Sequence, residues 1–322
     1  MTPGAHMRAE LAEAAGVFAA TVAMELAPMP PPKAIYTIAR GSSDAAANIL
    51  SYEFMRELGV PMTSLPPSVF SVGRGVDMTG ALALVVSQSG ASNDLVLSAK
   101  GARARGAEVI GLINAAHSPV ADHAGLILPI GAGPELAVPA TKSVVGAIAA
   151  GMALLGAMVP AYRARAVAPW AQGALPQTKA LLSALLRARH VYVIGRDTGY
   201  GAAQELALKL KETSAIHAEA YSSSEVLHGP LQLATNPLLV VILDTEQPDV
   251  QASLDTAEAR FAAAGGTVFR LRPSDIGARD LTPAAAAALL LCLTYPLVLE
   301  TALALGHDPD RPETLSKVTQ TI

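Results

Sequence analysis

The stretch Ile35–Ala47, IYTIARGSSDAAA, returns later in the chain as Val191–Ala203, VYVIGRDTGYGAA. Tyr36/Tyr192, Ile38/Ile194, Arg40/Arg196, Ala46/Ala202 and Ala47/Ala203 all lie at one constant offset. The same offset lays the apolar run ending at Val86 over the run ending at Ile242. Two segments sharing a register point to a duplicated βαβ unit. In the first half the strand candidates are Ala34–Arg40, Ala81–Ser89, Val109–Asn114 and Gly125–Ile130. In the second they are His190–Arg196, Leu238–Asp244 and Thr267–Arg272. Apolar strands separated by Ala-rich helical patterns imply an α/β chain whose parallel sheets carry helices on both faces. Pro160, Pro169 and Pro176 cluster between Val159 and Gln177, which places the linker there.

A chain of 322 residues is long enough for two domains of ordinary size. Half of it is apolar and 16% is charged, which excludes a largely disordered protein. With a net charge of −4 and no basic block, nucleic acid is not an expected partner. The single cysteine, Cys292, can form neither an intrachain disulfide nor a multi-cysteine metal site, which fits a cytoplasmic setting. No basic start followed by an apolar core marks the N-terminus as a leader, and Glu10 and Glu13 interrupt its helical pattern. Two apolar runs, Ser143 to Pro160 and Pro283 to Leu299, approach the length of a membrane span. Both are rich in Ala or Gly, so buried helices and no membrane association are expected. No metal cluster or nucleotide fingerprint is visible, and no cofactor is expected.

In parallel sheets of this kind ligands sit at the carboxyl ends of strands, where loops lead into helices. Ser87-Gln88-Ser89-Gly90-Ala91-Ser92 follows Val86, and Gly41-Ser42-Ser43 follows Arg40. Glycine and small hydroxyl residues let backbone N–H groups approach an anion, and the helix dipole favours one there. The alternative is that Ser42 and Ser92 are ordinary N-caps. Two such loops in one half favour phosphate. The matching second-half loop, Leu243-Asp244-Thr245-Glu246-Gln247-Pro248, carries two acids, so anion binding is expected in the first half only.

The second half concentrates its charge. Glu205, Lys209 and Glu212 are four and three residues apart and share a helical face. Alone they could be a solvated ion-pair stripe. They are followed by a polar stretch read as turn-forming, Ile216-His217-Ala-Glu219-Ala-Tyr221, then Ser222-Ser223-Ser224-Glu225-Val-Leu-His228-Gly229-Pro230. Isomerising a sugar phosphate needs a carboxylate to move a proton between C1 and C2 and a second group to open the ring.

SQSGAS, GPELAVPATKS (Gly133 to Ser143), ELALKLKE, IHAEAYSSSEVLHGP and DPDRPETLSKV (Asp308 to Val318) together resemble the sugar-isomerase (SIS) superfamily. They are most similar to the isomerase half of glucosamine-6-phosphate synthases and to stand-alone aminosugar-phosphate deaminases. The resemblance implies two flavodoxin-like domains in a homodimer with shared active sites. It implies phosphate binding by Ser42, Ser43, Ser87, Gln88, Ser89 and Ser92. Glu212 becomes the proton shuttle, with Glu205 and Lys209 in or beside its site. His228 opens the ring, reaching the site from the neighbouring subunit, and Lys317 meets the carbonyl end of the sugar. Glu135 and Val138 belong to a sugar-contacting loop. Arg40 is a further sugar-binding candidate, although Arg40 and Ala140 depart from the synthases, which have a smaller residue and a serine at those positions.

The expected organisation is a helical segment over 1–32 and a phosphate-binding domain over 33–160. A linker and helix over 161–189 then lead to a catalytic domain over 190–306, and a tail over 307–322 covers the site. The synthases take ammonia from a glutamine-using domain with an N-terminal cysteine; none is expected here, so conversion of an aminosugar phosphate such as glucosamine 6-phosphate to a ketose phosphate plus ammonia is the expected reaction. Plain aldose–ketose isomerisation, a sugar-phosphate deglycase and a non-catalytic sugar-phosphate sensor are the alternatives.

Overall fold

The computed structural model describes residues 2–115, 117–168, 170 and 173–317. Pro169 of the expected linker and residues 318–322 of the tail lie outside them. In chain order the elements begin with α1 (Ala5–Val22), β1 (Ile35–Ile38), α2 (Gly41–Leu58), β2 (Met62–Ser64) and α3 (Ser68–Ser71). Then come β3 (Leu82–Ser87), α4 (Asn93–Ala104), β4 (Glu108–Ile113), β5 (Leu126–Pro129), α5 (Lys142–Met158) and α6 (Pro160–Ala166). The remainder comprises α7 (Thr178–Leu185), β6 (His190–Gly195), α8 (Thr198–Ser214), β7 (His217–Ser222), β8 (Leu239–Leu243), α9 (Gln251–Ala263), β9 (Thr267–Leu271) and α10 (Pro283–Ala304).

The chain divides into two compact units. One holds Glu13–Glu135, Lys142–Val167 and the residues from Ser316 on; the other holds the residues up to Ala12, Leu136–Thr141 and Ala168–Leu315. The first contains a parallel five-stranded sheet of order β2-β1-β3-β4-β5. Its core is built from inward residues of the central strands, among them Ile38, Val85, Val109 and Ile113, against Leu95 and Ala99 of α4. α5 is buried along its whole length, which a helix rich in Ala and Gly and otherwise mostly aliphatic permits.

The second unit repeats the plan with four parallel strands, β7-β6-β8-β9. Tyr192, Ile194, Val240, Ile242 and Phe261 form its core, with the Tyr192 ring edge-on to Tyr221 at 5.0 Å and to Phe261 at 6.0 Å. α10 has the length and apolar composition of a membrane span, yet most of it is buried. The α/β class and the duplicated parallel sheet are therefore as the repeat implies.

All seven expected strands form, and two more appear at sheet edges: β2 and β7. The second is a correction. Residues 217–222, read from sequence as turn-forming, pair in parallel register with β6 from His190↔His217 to Gly195↔Ser222. An edge strand meets solvent on one side, so His217 and Glu219 alternate with Ala218 and Ala220 without weakening it.

Candidate active site

In the five-stranded unit, β1 and β3 are adjacent, while β2 and β4 continue on opposite sides of that pair. The crossovers diverge there, and this switch point leaves a crevice at the strand carboxyl ends. Both serine loops open from it. Ser42 and Ser43 lie in the first turn of α2, Ser87 ends β3, and Ser92 precedes α4. Arg40, not Ser42, is the N-cap residue of α2, and Ser92 stands at the N-cap of α4 without a side-chain capping bond. Within the loop, Ser87 Oγ accepts from the Gly90 N–H at 3.0 Å and Ser89 Oγ from the Ala91 N–H at 3.3 Å. Gln88 is half-buried, and its carbonyl accepts from the Ala115 N–H. Gly90 has φ +60, and a Cβ there would come within 2.3 Å of Ser118 Oγ, so only glycine fits this bend.

Charge at this crevice is mixed. Arg40, at the N-terminus of α2, donates from Nε to fully buried Asp94 in the first turn of α4 at 2.8 Å. The pair ties the two loops together while half of the Arg40 side chain stays exposed. Asp44, in the first turn of α2, is held above the usual carboxylate range by burial, against the opposing pull of the Ser64 hydroxyl and Arg40. Asp94 was not singled out from the sequence; its place two residues after Ser92 was the available signal.

Glu135 is buried and accepts from the Ser143 hydroxyl at 2.6 Å, the Ser143 N–H at 3.1 Å and Lys317 Nζ at 3.1 Å. Two candidates far apart in sequence are thus an ion pair, and Ser143 is a partner that sequence reasoning passed over.

The four-stranded unit holds the charged helix face, and it is not solvated. Lys209 is buried on α8, in contact with Glu212 and 3.7 Å from buried Glu205. Tyr295, on α10, donates its hydroxyl to Glu205 at 3.1 Å. Glu212 alone keeps part of its side chain, 23%, in solvent. Burying charge costs several kcal/mol per ion unless it is paired, and Lys209 is the shared partner of both carboxylates, leaving the row one net negative charge next to the part-exposed Glu212. Tyr295 lay inside an apolar run with no signal to separate it from core. His228 ends a 3-10 turn, Glu225–His228, and is exposed; among the described residues it makes no side-chain hydrogen bond. Val138 donates its N–H to the Asp310 carbonyl at 3.1 Å.

The second switch point, between β6 and β8, already contains an anion. Asp244 is fully buried and accepts from Arg270 Nε at 2.9 Å, Gln251 Nε2 at 2.9 Å and the Glu246 N–H at 2.8 Å. Arg272 Nε stands 3.3 Å away. The turn after β8 thus holds a buried carboxylate that already engages Arg270, Arg272 and Gln251.

The SIS domain model matches residues 31–157 and 184–268. The chain belongs to the SIS-domain family. A glutamine–fructose-6-phosphate aminotransferase (isomerizing) of Zymomonas mobilis is 30% identical over 314 residues, covering 88% of this chain and 51% of that protein. The chain thus spans about half the length of the curated relatives it matches. A crystal structure of a candidate phosphosugar isomerase from Silicibacter pomeroyi is 31% identical, with a TM-score of 0.80 over 94% of this chain and 99% of that one. A glucosamine-6-phosphate deaminase from Thermotoga maritima, 21% identical, shares the fold with a TM-score of 0.79 over 98% and 100% of the two chains. SIS membership and the two-sheet architecture agree with the motif resemblance.

Proposed function

We propose that this chain is a phosphosugar isomerase acting as an aminosugar-phosphate deaminase, with glucosamine 6-phosphate the type of substrate. The observation that carries the reading is the buried Glu205–Lys209–Glu212 row, whose outermost carboxylate reaches solvent. A carboxylate held beside a buried ammonium and open on its other side is suited to accept and return a proton. Residues 33–160 would supply the phosphate site through Ser42, Ser43, Ser87, Gln88, Ser89 and Ser92, and residues 190–306 the proton chemistry.

The reaction runs as follows. His228 assists ring opening, exposing the C1 aldehyde of a 2-amino sugar. Glu212 removes the C2 proton and returns it to C1, leaving an imine at C2. Water adds to the imine, and its collapse gives the ketose phosphate and ammonia. Lys317, paired with Glu135, acts as an ammonium that stabilises negative charge developing on the C1 oxygen. The exposed position of His228 suits service to the site of a second copy in a homodimer, and the lone cysteine suits a cytoplasmic enzyme.

Plain aldose–ketose isomerisation is the second reading, since an ammonium paired with Glu135 would serve the C1 oxygen of a neutral open-chain sugar equally well. Ammonia and ketose phosphate are to be measured separately with glucosamine 6-phosphate and with the corresponding neutral aldose phosphate. Ammonia release abolished by Glu212→Gln supports deamination. Turnover of the neutral sugar alone supports isomerisation, and saturable binding without turnover of either leaves a sensor.

A further inference from the structure

We propose that His190 and His217 form a surface site for a late first-row divalent cation such as Zn²⁺ or Cu²⁺. The two residues open β6 and β7 and face one another in the strand register, so the backbone ladder sets their separation. Their Nδ1 atoms stand 3.1 Å apart, with rings nearly perpendicular at 89°. A metal–nitrogen bond of about 2.0–2.1 Å spans about 2.9 Å between two nitrogens at a right angle and about 3.4 Å at the tetrahedral angle. The observed gap falls between these values, so one ion bridges both nitrogens without moving the strands.

The far side of His217 supports the same geometry. Glu219 follows two residues later on the same strand face, with its carboxylate 4.0 Å from His217 Nε2. The Tyr221 hydroxyl holds that carboxylate at 3.1 Å. That carboxylate adds negative charge close to a cation held at the two Nδ1 atoms. Both histidines are exposed, leaving the other coordination positions to water. No group of three or more His, Cys, Asp or Glu side chains among the described residues makes a metal site, so this is a two-ligand, exchangeable one. Imidazole nitrogens suit Cu²⁺, Zn²⁺ and Ni²⁺ over Mg²⁺ or Ca²⁺. The pair lies at the amino ends of the strands, whereas Asp244 lies at the carboxyl end of the same sheet, so the ion would not share the second switch point.

The untagged full chain is titrated with Zn²⁺ by calorimetry and with Cu²⁺ by electron paramagnetic resonance, alongside His190→Ala, His217→Ala, the double variant and Glu219→Gln. His6→Ala/His307→Ala serves as a control for binding elsewhere. The expected result is one ion per chain, a two-nitrogen Cu²⁺ spectrum and at least a ~10-fold loss of affinity in each single histidine variant. Glu219→Gln should weaken binding less, and the His6/His307 variant not at all. The variants replace exposed side chains, and unchanged melting of the metal-free proteins checks their fold. Wild-type affinity in the double variant, or loss in only one single variant, overturns the site and leaves a hydrogen-bonded histidine pair.

Discussion

Glu212 and Lys209 differ by three positions on one helix, yet their replacement should act on different quantities. Glu212→Gln keeps the shape beside Lys209 and leaves Lys209 its second carboxylate, Glu205, at 3.7 Å. The variant should melt like the parent while turnover falls on the order of a hundredfold or more, because an amide accepts no proton. Lys209→Met instead leaves Glu205 buried without its cation, and truncating one partner of a buried pair costs about 3–5 kcal/mol. That variant should lose melting temperature as well as activity. Equal thermal losses in the two would return the row to a purely structural role. Cys292 gives a second residue-scale expectation: burial pushes its thiol up to about 12. A thiol held up by burial supplies little thiolate, the reactive form. Alkylation of the native protein at pH 8 should be far slower than after denaturation; equal rates would contradict this.

The elements that carry the site were more legible than those that border the sheets. Seven strands stood out because each carries a mostly apolar run, whereas β2 has three residues and β7 alternates His, Glu and Tyr with Ala. The loops could be named from Ser and Gly, but not the burial of Glu205 and Lys209, since helical spacing does not say what covers a face. That depended on α10, whose Tyr295 was indistinguishable in sequence from its apolar neighbours. The duplicated loops give the element-scale prediction. Ser89→Ala should leave stability unchanged and raise KM roughly ten- to hundredfold, as loss of a hydrogen bond to a charged group costs about 1.5–3 kcal/mol. Asp244→Ala, at the corresponding turn, should do the reverse. It strips Arg270, Arg272 and Gln251 of their shared carboxylate, lowering the melting temperature with little change in KM. Inorganic phosphate should protect the parent from heat more than Ser89→Ala; equal protection would remove the loop from the site.

At the scale of the whole chain, the C-terminal segment joins residues that sequence distance keeps apart. Asp310 is buried and accepts from the His6 N–H at 2.9 Å and the Met7 N–H at 2.8 Å, while Asp308 accepts from the Gly4 N–H at 3.1 Å. These amides begin α1 and have no partner within the helix, so two acids some 300 residues away act as its cap, close to the positive end of its dipole. Seven residues after Asp310, Lys317 meets Glu135. The cap of α1 and the proposed role of Lys317 are therefore separable within one short segment. Deletion after Pro312 keeps both aspartates and removes Lys317, whereas Asp310→Ala keeps the lysine and removes the cap. The deletion should remain folded and lose turnover far more than substrate affinity, and Lys317→Ala should match it. Asp310→Ala should melt earlier, by the ~1 kcal/mol typical of a lost cap or more, since two N–H groups lose their acceptor. Its turnover below the melting range should stay near the parent's. Full activity in the deleted protein would exclude Lys317 from the reaction, and the buried Glu135 it leaves behind would then mark the pair as a fastening alone.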